Sequence, residues 1–387
     1  MRKQKSNPAN SCGCDQVSYI FQGGGALGSY QVGVFTGLYE AGYKPNWLVG
    51  TSIGAINAAI IAGNKPQNAI DKLKTFWNTL ALPLTSLSLN DNDVQIRRFQ
   101  NFLSAQITSL MGEPGFFTPK IINNPLFVTN STPDKISFYD WDALKNTLEK
   151  LIDFDLINKK LIRLSLCAIE VESGQLTYFD NTKEKITADH VMASCALPPG
   201  FPAVKINQKY YWDGGMNAST PIQIFLEDNI GKTCLCFSMQ LFDSYGLLPT
   251  SLDDVLKRKK DITFASQYRR YIQTFRDIHN LKLALSKLLD ELPDNKKNNA
   301  YFKSICKMSY PTQLNFVRFH YKARPFDLSS KDYEFSEQSV LEHMENGYSD
   351  AKKSLNNPPW LKPIPENVGI VVYEVSDVPI HEEHKHF

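Results

Sequence analysis

The chain has 387 residues with 42 basic against 40 acidic side chains, and 42% of its residues are hydrophobic. That length and composition belong to globular proteins that bury a sizeable core without staples. The near-neutral balance gives no electrostatic footing for nucleic acid or for a strongly anionic surface.

Seven cysteines form no disulfide framework, and neither the Cys12/Cys14 nor the Cys234/Cys236 pair has a histidine near enough for a zinc motif. Reduced thiols in a cytoplasmic protein, peripheral to a membrane at most, are the expectation. The N-terminus MRKQKSNPANSCGCDQ is charged but has no apolar run behind it, so it is not a Sec signal peptide. Export without such a signal would leave no mark in the sequence. The uncharged stretches Gln16–Tyr39 and Pro45–Asn64 imitate membrane spans. Both are interrupted by Gly, Ser, Asn and Gln and contain strand-turn-helix patterns, which read as buried α/β elements.

In chain order, residues 1–16 are expected to be disordered. Val17–Gln22 is an apolar run that stops at glycines, as a buried strand does. A helix from about Tyr30 carries Val32, Val34, Phe35 and Leu38, with Gly42 closing it. Trp47–Val49 is a second strand, and Ile53–Ile61 a helix apolar on nearly every side. Asn64-Lys65-Pro66 is expected to cap a third helix bearing Ile70, Leu73, Trp77 and Leu80. Residues 81–135 are rich in Ser, Thr, Asn and Pro, with one amphipathic piece near Ile96–Leu110. They suit either a lid over an apolar site or a surface excursion. A helix near Trp141–Ile152 and a strand at Ile162–Ile169 follow. Ser173-Gly174 turns the chain into Gln175–Phe179, a hairpin. Val204–Trp212 reads as one strand ending on Asp213, and Thr233–Met239 as a central strand. Leu252–Leu289 is a long helical stretch with one expected break. Leu314–Tyr321 and Ile370–Val375 are strands, and Ser336–Lys353 is a capped helix. The basic clusters Lys257–Lys260 and Tyr268–Tyr271 are expected on a solvated helix face rather than on a membrane. The tail His381–His386 is expected to be disordered.

Three motifs carry chemistry. Gly23-Gly24-Gly25-Ala26-Leu27-Gly28 follows a strand and opens a helix. It fits a dinucleotide fingerprint, but the second strand ends in Val49-Gly50-Thr51-Ser52 without the acid that would hold a ribose. Nucleotide binding is therefore rejected. The same loop suits another anion, because backbone N–H groups at a helix start cradle negative charge and glycine lets the backbone come close. In acyl transfer that anion is the tetrahedral oxyanion. Gly50-Thr51-Ser52-Ile53-Gly54 is G-x-S-x-G between strand and helix, the nucleophile-elbow pattern. Asp213-Gly214-Gly215 ends a strand, where a carboxylate can take a serine proton or merely close a turn.

Together these motifs resemble those of the patatin-like phospholipases. The glycine loop Gly23–Gly28, the elbow Gly50–Gly54 and Asp213–Gly215 stand in that family's order, and Ala193–Pro199 is similar to its segment before the aspartate. The match covers about residues 17–240. Ser330–Ser336 resembles the C-terminal region of a bacterial branch. The resemblance implies a three-layer α/β/α sandwich around a mainly parallel sheet, with a C-terminal α+β extension over 241–380 and a tail at 381–387. It implies a dyad of Ser52 as nucleophile and Asp213 as base, and an oxyanion hole at Gly23, Gly24 and Gly25. Gly28, Gly50, Gly54, Gly214 and Gly215 would support that site. It implies no metal and no organic cofactor. Leu27 stands where many members carry Arg or Lys, which leaves lysolipids, neutral esters, thioesters and polyesters open beside phospholipids. Two other readings remain: an α/β-hydrolase triad using His320 or His343, and a silent lipid-binding scaffold. The short separation of Gly28 from Gly50 argues against the first, and retention of both Ser52 and Asp213 against the second. The substrate is an acyl lipid or a membrane surface, and the oligomeric state is not legible.

Overall fold

A computed structural model describes residues 14–82, 93–120, 131–228, 233–293, 300–306, 309 and 313–375. In chain order, β1 (Gln16–Phe21) leads through a 3₁₀ turn at Gly25–Leu27 into α1 (Gly28–Glu40), then β2 (Trp47–Thr51), α2 (Ile53–Ala62) and α3 (Ala69–Leu80). There follow α4 (Val94–Met111), the two-residue strands β3 (Thr118–Pro119) and β4 (Tyr139–Asp140), α5 (Asp142–Leu151) and α6 (Phe154–Asn158). The middle of the chain holds β5 (Arg163–Glu170), β6 (Leu176–Asp180), α7 (Ala188–Cys195), β7 (Val204–Ile206), β8 (Lys209–Asp213), α8 (Gly215–Ala218) and α9 (Ile222–Asp228). The rest is β9 (Cys234–Gln240), α10 (Leu252–Asp290), α11 (Ala300–Cys306), β10 (Leu314–His320), α12 (Glu337–Asn356) and β11 (Ile370–Val375).

Six strands run parallel in the order β11-β10-β9-β1-β2-β5. β1 and β9 are buried at every position, which is why their sequences are continuous apolar runs rather than alternating ones. Two cores separate by strand parity. Val17, Tyr19 and Phe21 enter the larger one with Phe35 of α1, whereas Ile20 enters the smaller one with Phe225 of α9 and Tyr268 of α10. The result is a mostly parallel sheet with helices on both faces. No helix among the described residues is long and apolar enough to cross a membrane, and the six described cysteines are free thiols.

Several boundaries differ from the sequence reading. The first strand opens at Gln16, so Cys14 and Asp15 are placed against β9 rather than disordered, with Asp15 N–H donating to Thr233 C=O at 2.9 Å. Asn68 caps α3, while the Asn64 amide instead donates to the Ile60 and Leu151 carbonyls. Val204–Trp212 is not one strand but the β7–β8 hairpin, turned at Asn207 and Gln208 with φ of 48° and 68°. The stretch after Leu252 is one unbroken 39-residue helix. The tail 381–387 and residues 1–13, 83–92 and 121–130 lie outside the described residues.

α1 and α12 cross with their backbones in contact. A Cβ built on Gly33 would sit 1.9 Å from the Met344 carbonyl oxygen, and one on Gly347 would sit 2.1 Å from that of Tyr30. No side-chain motion relieves a clash with backbone. Gly33→Val is expected to destabilise the protein by about 3 kcal/mol or more, read as a lower urea midpoint with an unchanged m-value.

Candidate active site

β5 brings the elbow serine and the aspartate together. β2 pairs with β5 in parallel up to Thr51↔Cys167, and β8 pairs with it in antiparallel from Glu170↔Tyr211 to Ala168↔Asp213. β6 occupies the other edge of β5 over Ser165–Ile169. β2 and β8 therefore run head to head along a single edge, and their C-terminal ends meet. Ser52, one residue past β2, sits at φ 55°, ψ −129°, a conformation that side chains other than glycine rarely adopt. α2 begins at the next residue. The turn is possible because Gly54 passes under β1, where a Cβ would lie 2.4 Å from the Phe21 carbonyl oxygen.

The Ser52 hydroxyl stands beside the Asp213 carboxylate and favours its charged form. Asp213 is buried, and its Oδ1 accepts the Gly215 N–H at 2.7 Å. Burial pushes its pKa up to about 7, against the lowering pull of the Ser52 hydroxyl and the Gly215 N–H. The segment around the end of α7 holds both partners from behind. Ser52 N–H donates to Ser194 C=O at 3.1 Å, Asp213 N–H donates to Ala196 C=O at 3.0 Å, and Ser194 Oγ donates to the Cys167 carbonyl at 2.6 Å. The sequence marks Ala193–Pro199 only as a family-like string, and nothing in its residue types announces this bridging task.

The glycine loop lies across from them. Gly23 presses on Ser52, with a hypothetical Cβ 3.0 Å from Ser52 Cβ, but its N–H donates to Ser219 C=O at 2.9 Å. The N–H groups of Gly24 and Gly25 have no protein acceptor among the described residues. Gly25 has φ +55°, and a Cβ there would sit 1.9 Å from the Asp332 carbonyl oxygen. Gly28 packs on Ile53 and Trp77, Gly50 on Ala55, and Gly214 on Cys167. Leu27 is fully buried and turns into the core, away from any ligand.

Neither histidine of the triad reading lines the site. His343 lies behind the loop, 3.4 Å from Ser29 Oγ and 3.1 Å from the Tyr321 hydroxyl, and burial pushes its pKa down to about 4. His320 stands at the end of β10, 3.3 Å from Asp243. No cluster of His, Cys, Asp and Glu among the described residues is suited to a metal ion.

Ser52 and Asp213 open into a cavity of about 400 Å³. Its wall is rich in aromatic rings, Phe116, Phe117, Phe201, Phe242, Phe264 and Phe335 with Tyr139 and Tyr333, and among the described residues no Lys, Arg or His lines it. Thr108, Ser109, Phe116 and Phe117 come from the 81–135 region. The basic cluster does not present a solvated charged face throughout. Lys257 donates to Asp327 C=O at 3.0 Å, Lys260 pairs with Asp332 at 2.5 Å, and Arg258 donates to the Asp243 and Ser244 carbonyls. The two lysine heads pin the 327–333 strap beside the glycine loop.

Glu113 is buried just behind the cavity wall, with Thr108 Oγ1 at 3.5 Å. Burial raises its pKa from 4.5 to about 8, opposed by the Thr108 hydrogen bond and assisted by nearby Glu334. The folded protein thus holds a proton that the unfolded chain has released between those values. Its contribution to stability is full below about 4.5 and is lost as the pH rises through about 8. Glu113→Gln is expected to match wild type near about pH 4 and to exceed it in urea midpoint near about pH 8.

The sequence profile of the family described as patatin-like phospholipase matches residues 19–226, and a second profile described as patatin phospholipase matches residues 262–367. The chain belongs to the patatin-like phospholipases and is a lipid ester hydrolase. No curated protein is detectably similar in sequence. Among solved structures, VipD from Legionella pneumophila is 14% identical over 88% of this chain and 67% of its own, at a TM-score of 0.36. The complex of ExoU with SpcU from the type III secretion system of Pseudomonas aeruginosa gives 13% identity over 75% of this chain and 61% of the other, at 0.24. The family assignment rests on the profile matches.

Proposed function

We propose that Ser52 and Asp213 hydrolyse acyl esters of lipids as a two-residue machine, in the manner of a phospholipase A or lysophospholipase. The observation that carries this is the placement of Ser52, on a strained strand-helix elbow, beside a buried carboxylate where β2 and β8 meet, both lining a largely apolar cavity. Asp213 takes the hydroxyl proton as Ser52 Oγ bonds to the ester carbon. The carbonyl oxygen becomes an oxyanion that the free N–H groups of Gly24 and Gly25 and the N-terminus of α2 would receive. Gly23 acts by close approach, because its N–H is already engaged by Ser219. Collapse breaks the bond to the alcohol, which leaves with the proton held by Asp213. A water molecule then gives its proton to Asp213 and its oxygen to the acyl carbon. Ser52 is released protonated, and the fatty acid departs.

A carboxylate with its pKa near about 7 is half ionised at neutral pH and is a far stronger base than an exposed aspartate. Among the described residues no cation lines the cavity to hold a phosphate, so recognition runs through the acyl chain while the head group stays at the mouth. A panel of one acyl chain on phosphocholine, lysophosphocholine and neutral glycerol is expected to vary less in kcat/KM than a chain-length series on one head group.

Ser52→Ala is expected to abolish ester turnover with circular dichroism unchanged. Asp213→Asn is expected to cost about 10²-fold or more in kcat. For wild type, the base must be ionised, so kcat/KM climbs with pH and levels off above about 7. A flat profile from pH 5 to 8, or full turnover by the Asn variant, would sink the role of Asp213.

A further inference from the structure

The two helices that flank the cavity are inside out. On α4 the buried positions are Arg97, Asn101, Ser104, Ala105 and Thr108, four of them polar, while Phe99, Phe102 and Leu110 face solvent. Phe99 to Gly112 contains no charged residue. On the first turns of α10, Lys257, Lys260 and Asp261 point at the protein, and Leu252, Val255, Leu256 and Ile262 point outward. A surface helix of a globular protein has the opposite arrangement. Arg98 of α4 reaches Asp253 on the first turn of α10 at 3.6 Å, so the two exposed apolar stretches lie on neighbouring helices that both line the cavity.

We propose that this face is an interfacial surface that seats the enzyme on a zwitterionic lipid layer and feeds acyl chains to the cavity. The proposal rests on the lipid-hydrolase reading of the site. Both helices contribute to the cavity wall, α4 through Thr108 and Ser109 and α10 through Phe264. Leu197 is at once wall and surface, 43% exposed, so apolar lining continues into apolar exterior. An acyl chain moving from the layer to Ser52 would stay out of water along that route, which removes the hydrophobic penalty of extraction. Charge decides between lipid classes. The basic heads that would attract anionic lipid are turned to the protein: Lys260 pairs with Asp332, Lys257 pairs with Asp254 at 3.3 Å, Arg258 donates to the backbone carbonyls of Asp243 and Ser244, and the outward side of α10 between Leu252 and Ile262 carries one cation, Lys259. Seating is therefore apolar, strong on phosphatidylcholine and insensitive to salt.

The test uses the full chain in two forms. In the Ser52→Ala background, which cannot degrade the vesicles, the protein is expected to float with phosphatidylcholine vesicles equally at low and high salt. Adding Phe102→Asp and Leu256→Asp is expected to reduce flotation about tenfold or more. Neither residue lines the cavity. With Ser52 intact, the same pair is expected to keep turnover of a monomeric short-chain p-nitrophenyl ester and to lose vesicle hydrolysis. Three results would overturn the surface: no flotation of the Ser52→Ala protein, flotation only with anionic vesicles and abolished by salt, or a dimer that dissociates on the paired substitution. Absence of ester turnover by wild type would instead strike the hydrolase reading, and flotation does not depend on it.

Discussion

The geometry of the site depends on one edge of one strand. β5 accepts β2 and β8 on the same side, from opposite directions, so the sheet ends in a head-on meeting of two strands. Ser52 and Asp213 are the residues at that meeting. Their approach is set by backbone register rather than by side-chain flexibility, and the Ser194 and Ala196 carbonyls lock it from behind. Register is among the stiffest quantities in a protein, because a slip of one residue sends every side chain to the other face. The same closeness denies Asp213 water. It keeps the Gly215 N–H bond and the neighbouring Ser52 hydroxyl but is otherwise buried, and that burial is the cause of its raised pKa.

A second feature is the distribution of polarity around the cavity. Behind the glycine loop, buried polar groups form a chain from Ser29 through His343 and Tyr321 to Asp327. Next to it, Arg324 and Arg97 share Glu342, with Arg97 Nη2 at 3.1 Å. Such networks are costly when incomplete and rigid when complete. Here they join α4, α12 and the 321–327 segment into one support for the loop that faces Ser52. The cavity wall is by contrast largely apolar and rich in aromatic rings, with Phe117–Tyr139 ring centroids 4.8 Å apart and Trp141 stacked behind Phe201 at 4.9 Å. Polar support behind and an apolar wall in front is an arrangement suited to holding an acyl chain beside a developing charge.

Much of this was legible in the sequence. Buried parallel strands are continuous apolar runs, and those at Val17–Phe21 and Trp47–Val49 stop at glycine-rich turns, so the strand-loop-helix and strand-elbow-helix units stand out. Asp213 by itself looks like any turn residue and gains meaning only beside the two upstream motifs. What escaped was set by tertiary partners. The β7–β8 hairpin turns on Asn207-Gln208, which lacks the glycine that usually marks such a turn. The α10 region contains neither Gly nor Pro, so nothing in it breaks the helix, and Lys257 and Lys260 on its first turns are met by the 327–333 strap. The engagement of the Gly23 N–H by Ser219 belongs to residues nearly two hundred positions apart. The aromatic wall is drawn from segments at 116–117, 139, 201, 242, 264 and 333–335, which no local pattern unites.

The contact of Gly25 with the Asp332 carbonyl bears on how the chain can be divided. The profile match that holds the serine and the aspartate stops at residue 226. Yet the loop that would receive the oxyanion leans on a backbone atom more than a hundred residues beyond that limit, itself anchored by Lys260 and by the Lys331–Asp261 pair. β9 and β10 continue the same sheet past that boundary and cover the flank of β1. Family boundaries drawn from sequence are thus not seams in this protein. The candidate site is assembled from both ends of the chain, and the smallest piece that keeps it intact reaches from β1 to the far side of the strap.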